Sequence, residues 1–442
     1  MRTNLGKDNL VKTIFKFSIP SILTMWIYSL YTIVDGMFIG KFLGSKEIAA
    51  VNIVMPYVNF SFALGIMIAI GSGTMIAVKL GEGKEKEVER IYSIALETLL
   101  LLGMGLGVLG VFFPETVVKF LGANNIILTP AKTYLFVISF FTLFYLMAYG
   151  FEIFIRIDGN PSYSMFCNLG GAIMNIVLDY VFIVHFHWGI EGAALATGMA
   201  QFTTSFMLWY YLRFRATKFK FRFMKLDFKM VKSILFKGSP EFLTEVATGI
   251  VIMAFNIKIM NIIGEKGVST FGIIGYISTL VTMTMIGFSQ GLQPIISYNY
   301  GACEFEKIKK TLKIGIATVF VLGIGFYSLV NLFASDIISI FVKNDVILYK
   351  ITKEAITIYS FTYILMGLNI IIGAYFTAIE NPKVSVVLSV LRGIIIINTL
   401  LYIFPTMFNS RGIWMSAPVN EMLTLVFSII FFSTIGMREI EV

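Results

Sequence analysis

Residues 14–40 of the chain read IFKFSIPSILTMWIYSLYTIVDGMFIG. This run carries only two charged side chains, Lys16 and Asp35. Because about 20 apolar residues in a helix cross the ~30 Å hydrocarbon core of a bilayer, the run predicts a membrane-spanning helix. It is too long for a signal peptide and no small-residue cleavage site follows it, so we expect it to stay in place as the first span.

The same pattern recurs along the whole chain. Of the 442 residues, 57% are hydrophobic and 14% are charged, whereas soluble domains have about 45–50% apolar and about 25% charged residues. Further apolar runs predict spans at 47–78, 91–113, 131–156, 162–185, 189–212, 234–262, 268–300, 312–333, 353–379, 384–407 and 412–436. Only helices or closed barrels satisfy the backbone in lipid, and these runs exceed the ~10 residues of a barrel strand. We therefore predict an all-α integral membrane protein with twelve transmembrane helices.

The basic residues in the predicted loops indicate the orientation. One side holds 23 of them: Arg2, Lys7, Lys12, Lys16, Lys79, Lys84, Lys86, Arg90, Arg156, eight between Arg213 and Lys232, Lys307, Lys309, Lys310, Lys313, Lys383 and Arg438. The other side holds nine: Lys41, Lys46, Lys119, Lys132, Lys266, Lys343, Lys350, Lys353 and Arg411. Cytoplasmic loops are enriched in Lys and Arg, so we expect both termini in the cytoplasm, with the protein in the cell (inner) membrane. The net charge of +9 is then a topology signal, and we expect no nucleic-acid partner.

The densest basic stretch is RFRATKFKFRFMKLDFKMVK, residues 213–232, in which phenylalanines alternate with charges. Two interpretations stay open. The stretch is either an interfacial segment on the inner leaflet or a solvated linker between two halves of the chain.

The chain repeats itself at an offset of about 220 residues. FKFSIPSIL at 15–23 matches FKGSPEFL at 236–243, and GNP at 159–161 matches ENP at 380–382. Six spans per repeat insert both halves the same way round, which predicts parallel repeats. We expect an N-lobe at 1–212, a cytoplasmic basic linker at 213–233 and a C-lobe at 234–442. This plan is common in transporters that bind substrate between the repeats.

Polar side chains inside spans are expensive in lipid and usually functional. Asp35 in the first span, Asn175 and Asp179 in the fifth and Thr197 in the sixth all fall about 8–12 Å below the outer interface, at 1.5 Å per helical residue. In the second half, apolar residues occupy the positions of the two acids. Two carboxylates in a low-dielectric site favour binding a proton, or with the amide and hydroxyl a hard cation. The alternative is hydrogen bonding between helices.

Other charges within spans are few. Glu245 and Arg392 both fall near the middle of the bilayer, so either they form a structural ion pair or Glu245 meets a cationic substrate. Glu152 and Arg156 are four residues apart, which predicts a pair on a helix surface. No catalytic motif or metal-ligand spacing occurs, so we expect no enzyme activity, no cofactor and no metal centre other than a coupling ion.

Several helices carry potential weak points. Pro20 and Pro240 each fall early in the first helix of a half. Glycines interrupt the second and eighth spans, at Gly65, Gly71, Gly73, Gly287 and Gly291. Each position is either a bending point or a place where helices pack closely.

Five stretches together identify a family resemblance. They are YTIVDGMFIGKFLG (31–44), RIDGNP (156–161), NIVLDYVFI (175–183), GIEGAALAT (189–197) and QGLQPIISYNYG (290–301). In combination they resemble the multidrug and toxic compound extrusion family, especially its MepA-like branch, over nearly the whole chain.

The resemblance implies two six-helix lobes that form a V-shaped bundle and work by alternating access. It implies antiport of small organic cations against H⁺ or Na⁺, with membrane lipids as the surroundings and no obligate protein partner. The family's N-lobe coupling residues map onto Asp35, Asn175, Asp179 and Thr197, and its bending proline maps onto Pro20. The C-lobe acidic site is matched only in part, by Glu245. The alternatives are a lipid-linked oligosaccharide flippase of the same superfamily or a membrane protein without transport activity.

Overall fold

The computed structural model describes residues 9–342 and 345–440. Within these ranges all regular secondary structure is helical and no strand occurs, which confirms the all-α fold class. Arg2, Lys7 and Lys343, which enter the loop-charge count, lie outside the described residues.

The described residues form eight α-helices in each half of the chain. Those of the first half are α1 (Leu10–Phe38), α2 (Ser45–Gly81), α3 (Glu85–Phe112), α4 (Pro114–Phe120), α5 (Leu128–Ser139), α6 (Thr142–Ile157), α7 (Pro161–Asp179) and α8 (Gly189–Phe214). The second half contains eight more: α9 (Phe228–Ile262), α10 (Glu265–Gly301), α11 (Phe305–Leu332), α12 (Ala334–Phe341), α13 (Val346–Tyr359), α14 (Thr362–Ala378), α15 (Pro382–Val390) and α16 (Ile397–Phe431). The second and third helices of each half have identical lengths, 37 and 28 residues. Each half also has a short helix, α4 or α12, that the hydropathy pattern did not predict. The halves therefore repeat helix by helix.

All twelve predicted spans lie on these helices. Among the described residues, eight helical segments are long and apolar enough to cross a membrane, and two bent pairs of helices raise the number to ten. One of the eight, Pro382–Gly436, covers two predicted spans, which meet at the non-helical residue Asn409 (φ 53°, ψ −137°). The helix α8 covers a further predicted span, although it is not among those segments.

Two spans that the hydropathy pattern predicts as continuous are broken. α5 and α6 meet at 50°, and α13 and α14 meet at 42°. A serine stands at each break: the Ser139 hydroxyl donates to the Leu135 carbonyl at 2.6 Å, and the Ser360 hydroxyl donates to the Thr357 carbonyl at 3.2 Å. Such bonds to the preceding turn compete with the backbone ladder and often accompany bends in helices. Ser72 makes the same kind of bond inside the uninterrupted helix α2, so the serines alone do not explain the bends.

The chain forms two compact units that differ from the predicted lobes and linker in three places. One unit contains residues 23–242 and the other contains residues 9–22 together with the chain from residue 243 onwards. The first turns of α1 thus belong to the second unit, and the first turns of α9 belong to the first. The linker at 213–233 belongs to the first unit as well. Pro20 lies inside α1 and Pro240 inside α9, each two residues before the boundary.

Glycines allow close helix packing within each unit. In the first unit, a Cβ on Gly71 would meet the Ile234 carbonyl oxygen at 2.1 Å, and one on Gly238 would meet the Met67 carbonyl oxygen at 1.7 Å. In the second unit, a Cβ on Gly291 would meet Ser18 Cα at 2.5 Å. Of the two interpretations of the glycines, close packing therefore describes Gly71 and Gly291.

Candidate functional site

The ends of two helices position the acids of the first unit. Asp35 lies in the last turn of α1, just before a π-helical segment at Ile39–Leu43. Asp179 is the last residue of α7 and precedes a second π-helical segment at Tyr180–His185. π-Helical turns widen a helix locally and are frequent at functional sites. Both acids therefore lie where a regular α-helix ends and a π-helical segment begins.

The structure brings together the four residues that the sequence singled out. The Thr197 hydroxyl of α8 donates to Asp35 Oδ1 at 3.3 Å, and the Asn175 amide of α7 donates to Thr197 Oγ1 at 3.4 Å. Asp179 lies close enough to Asp35 for the two carboxyl groups to affect each other electrostatically. Asp35 is 8% exposed and Asp179 is fully buried. These four side chains form what we call the acid pair site.

Three buried oxygen atoms in the acid pair site have no hydrogen-bond partner among the described residues. They are both carboxylate oxygens of Asp179 and the side-chain oxygen of Asn175. A buried carboxylate without compensation is costly, and two ionised carboxylates cannot donate to each other. A proton on one acid, or a cation between them, would remove this cost. The donor set of carboxylates, amide and hydroxyl oxygens suits a hard cation.

Sequence reasoning missed three residues that border the site. Tyr31 lies one helical turn before Asp35 and accepts a hydrogen bond from Gln201 at 3.5 Å. Gln201 itself lies one turn after Thr197, so helical spacing could have found both. Tyr134 of α5 interacts with Asp35, Asp179 and Thr197. No spacing signal connects α5 to these helices, so only the tertiary structure reveals Tyr134.

Glu152 and Arg156 do not form the expected surface pair. Their side chains are 1% and 2% exposed, and Arg156 Nη2 lies 2.5 Å from Glu152 Oε1. Tyr28 of α1 donates to Glu152 Oε2 at 2.9 Å, and the Asn168 amide of α7 donates to the same atom at 2.9 Å. The helical spacing was correct, but the face that carries the pair is turned into the bundle. These hydrogen bonds connect α1 to α6 and α7, in the same unit as the acid pair site.

The expected ion pair between Glu245 and Arg392 does not form. Arg392 instead pairs with Glu421 of α16 at 2.8 Å, and the Asn369 amide donates to Glu421 Oε2 at 2.7 Å. Glu245 is partly exposed and has no hydrogen-bond or ion-pair partner within residues 9–342 and 345–440. Sequence reasoning missed Glu421, because it did not consider this acid of the last predicted span as a partner for Arg392.

We expect Glu421→Ala to destabilise the protein far more than Glu245→Ala. Removing one partner of a buried ion pair costs about 3–5 kcal/mol, and Glu421 is 6% exposed whereas the Arg392 side chain is 24% exposed, so the lower end applies. Thermal unfolding of the purified variants measures the difference. Equal unfolding temperatures for both variants would show that the Arg392–Glu421 pair contributes nothing to stability.

Within the described ranges, no three His, Cys, Asp or Glu side chains come together. A cation at the acid pair site would therefore be held by amide and hydroxyl oxygens as well as by the two carboxylates. A duplicated all-helical chain of membrane-spanning segments, with a buried acid pair in one half only, has the features of a membrane transporter.

Comparison with known proteins identifies the family. The MatE family model matches the chain twice, at residues 20–181 and 240–403. The chain belongs to the MatE family. The two matches begin 220 residues apart, which confirms the internal repeat.

Individual relatives agree with this assignment. The multidrug export protein MepA of Staphylococcus saprophyticus is 26% identical over 421 residues, which cover 94% of this chain and 92% of that protein. A solved structure described as the outward-facing conformation of a multidrug resistance MATE family transporter superposes with a TM-score of 0.92 at 22% identity, covering 99% of this chain and 98% of that one. A transporter of the MOP superfamily from Pyrococcus furiosus, described as having a binding pocket of reverse polarity, superposes with a TM-score of 0.91 at 22% identity over 99% and 98% of the two chains.

Proposed function

We propose that the protein is a secondary active multidrug exporter that exchanges small organic cations for H⁺ or Na⁺ by alternating access. The observation that carries the proposal is the acid pair site, where three buried oxygens lack partners beside a second carboxylate. Such a site gains stability when it binds a proton or a hard cation, which is what ion coupling requires. The MepA relative, which is named as a multidrug export protein, supports small organic molecules as the cargo.

The site would respond to the coupling ion through α1. Binding of the ion neutralises Asp35 and Asp179 and removes the unfavourable charge from the bundle. Asp35 then no longer needs its weak 3.3 Å hydrogen bond from Thr197, so the end of α1 is free to repack. Pro20 interrupts the backbone ladder of the same helix two residues before the unit boundary. We propose Pro20 as the hinge through which this change is transmitted.

Dye efflux from vesicles tests the proposal. Purified protein is reconstituted into vesicles, and the vesicles are loaded with a cationic dye. An inward proton gradient and an inward sodium gradient are then imposed in separate experiments. We expect efflux under at least one gradient and none without a gradient. If there is no efflux under either gradient, and the protein instead transfers a lipid-linked oligosaccharide across the bilayer, the flippase alternative is correct and the proposed export is wrong.

The proposed orientation puts both termini and residues 213–232 in the cytoplasm. The native cysteines offer a direct test, because Cys303 is exposed in the loop between α10 and α11, which the proposed orientation also puts in the cytoplasm, and Cys167 is buried. We expect a membrane-impermeant maleimide to label intact cells weakly and inverted vesicles strongly, and Cys303→Ser to remove the signal. Strong labelling of Cys303 in intact cells would show that the orientation is opposite to the proposed one, and that the direction of transport is opposite as well.

A further inference from the structure

The non-helical segment at 215–227, which we call the linker segment, is fixed to the first unit. Phe219 is 5% exposed and its ring lies 5.0 Å from that of Tyr92. The Arg222 backbone amide donates to Ser93 Oγ at 3.1 Å, and the Met224 backbone amide donates to Glu97 Oε1 at 2.8 Å. The linker segment is therefore a positioned surface and not a free tether.

The far end of the linker segment is held by Asp227. Its carboxylate accepts the backbone amides of Lys229 at 2.9 Å and Met230 at 3.3 Å, and Arg90 Nη2 lies 2.7 Å from it. The hydrogen bond from the Met230 amide, together with Arg90, holds the pKa of Asp227 below its ordinary value. The single acid of the segment is thus ionised at neutral pH and is already paired.

Aromatic side chains project from this fixed backbone into the surroundings. Phe221, Phe223 and Phe228 are 42%, 86% and 81% exposed. The rings of Phe221 and Phe223 lie edge to face at 4.8 Å. Exposed aromatic groups that cluster in this way mark an interaction surface.

Positive charges accompany the exposed rings. Lys220, Arg222 and Lys225 are exposed, and among residues 9–342 and 345–440 no acidic side chain pairs with any of them. The segment joins α8 to α9, which are spans of a membrane protein, so it lies next to the bilayer surface. Apolar rings beside unpaired basic side chains complement an anionic lipid surface, with rings at the headgroup level and cations near the phosphates.

We infer that the linker segment is a docking surface for anionic phospholipid, held in place by Phe219, Ser93 and Glu97. This inference concerns neither the cargo nor the coupling ion. It would therefore stand if the transport experiments failed, and its own failure would leave the proposed export activity untouched.

A fluorescent probe at Phe223 tests the inference. Phe223→Cys in a Cys303→Ser background is labelled with an environment-sensitive fluorophore, while the buried Cys167 stays unreactive. The protein is reconstituted in phosphatidylcholine alone and in mixtures with phosphatidylglycerol, with spin-labelled lipid as quencher. Lys86→Cys, at an exposed position at the start of α3, is the matched control.

We expect lipid to quench the probe at position 223 at least twofold more than the probe at position 86. The quenching should grow with the phosphatidylglycerol fraction, and the added part should vanish at ~1 M salt, where the Debye length is about 3 Å. Equal quenching at the two positions, or quenching that ignores phosphatidylglycerol, would overturn the inference. So would an equal response to inorganic phosphate in phosphatidylcholine vesicles, which would indicate a site for free anions.

A charge variant separates electrostatic binding from simple proximity to the bilayer. The combined change Lys220→Gln, Arg222→Gln and Lys225→Gln keeps the backbone hydrogen bonds of Arg222 and Met224, so the segment should stay in place. We expect the phosphatidylglycerol-dependent part of the quenching to disappear in this variant. If it persists, the basic side chains do not recognise the lipid and the inference is wrong.

Discussion

We expect Asp35→Asn and Asp179→Asn each to abolish gradient-driven efflux while the protein still inserts and folds. Either change removes a carboxylate that would carry the proton or cation, yet an amide keeps the size of the side chain. The two acids lie close enough to affect each other electrostatically and should act as one unit, so their effects should not add. The double variant should therefore be little worse than either single variant. Initial efflux rates from vesicles under imposed gradients measure this.

The control for these variants is Asp336→Asn, the same chemical change at an exposed position in the first turn of α12. We expect it to export at the wild-type rate. If both single variants at the acid pair site also export at that rate and respond normally to the gradient, the coupling site lies elsewhere. Glu245, which has no partner among the residues that the structure describes, would then be the next candidate.

We expect Gly238→Ala to cause the largest loss of stability among conservative changes in the first unit. The added Cβ would lie 1.7 Å from the Met67 carbonyl oxygen, and a backbone atom cannot move aside as a side chain can. α2 and α9 would have to separate, at a cost at or above the upper end of the about 1–3 kcal/mol typical of overpacking. Folded yield and thermal unfolding in detergent report the loss.

Gly249→Ala is the matched control, because it lies on the same helix and its Cβ would meet no atom within 4 Å. Alanine is favoured over glycine in a helix by about 1 kcal/mol, so this variant should be as stable as the wild type or slightly more stable. Similar behaviour of the two variants would show that α2 and α9 do not approach as closely as described.

The length of the apolar runs was sufficient to predict the twelve spans and their order, although not the short helices α4 and α12, and matching stretches about 220 residues apart predicted the repeat. They could not predict the bends at Ser139 and Ser360, because the same serine in another helix bonds its own turn without bending it. They also could not predict that the first turns of α1 and α9 pack on the opposite units, since hydropathy shows that a helix is buried in lipid but not which helices it contacts.

For the acid pair site, depth along the helices and the family resemblance both grouped Asp35, Asn175, Asp179 and Thr197, which the structure brings together. Depth alone failed for Glu245 and Arg392, which share a level in the bilayer but are not partners. Arg392 pairs with Glu421, whose pairing depends on how α16 is rotated. Two side chains at one depth meet only if their helices are neighbours and turn the right faces to each other.

The sequence by itself determined that this chain crosses a membrane as a duplicated set of helices, because a protein surrounded by water could not bury so much apolar surface. It also determined that only the first half carries an acid pair. Only the tertiary structure decided which charges are paired and which buried oxygens are left without a partner. The reason is that lipid constrains the depth of a residue along its helix, whereas the rotation and neighbours of that helix depend on side-chain packing across the whole bundle.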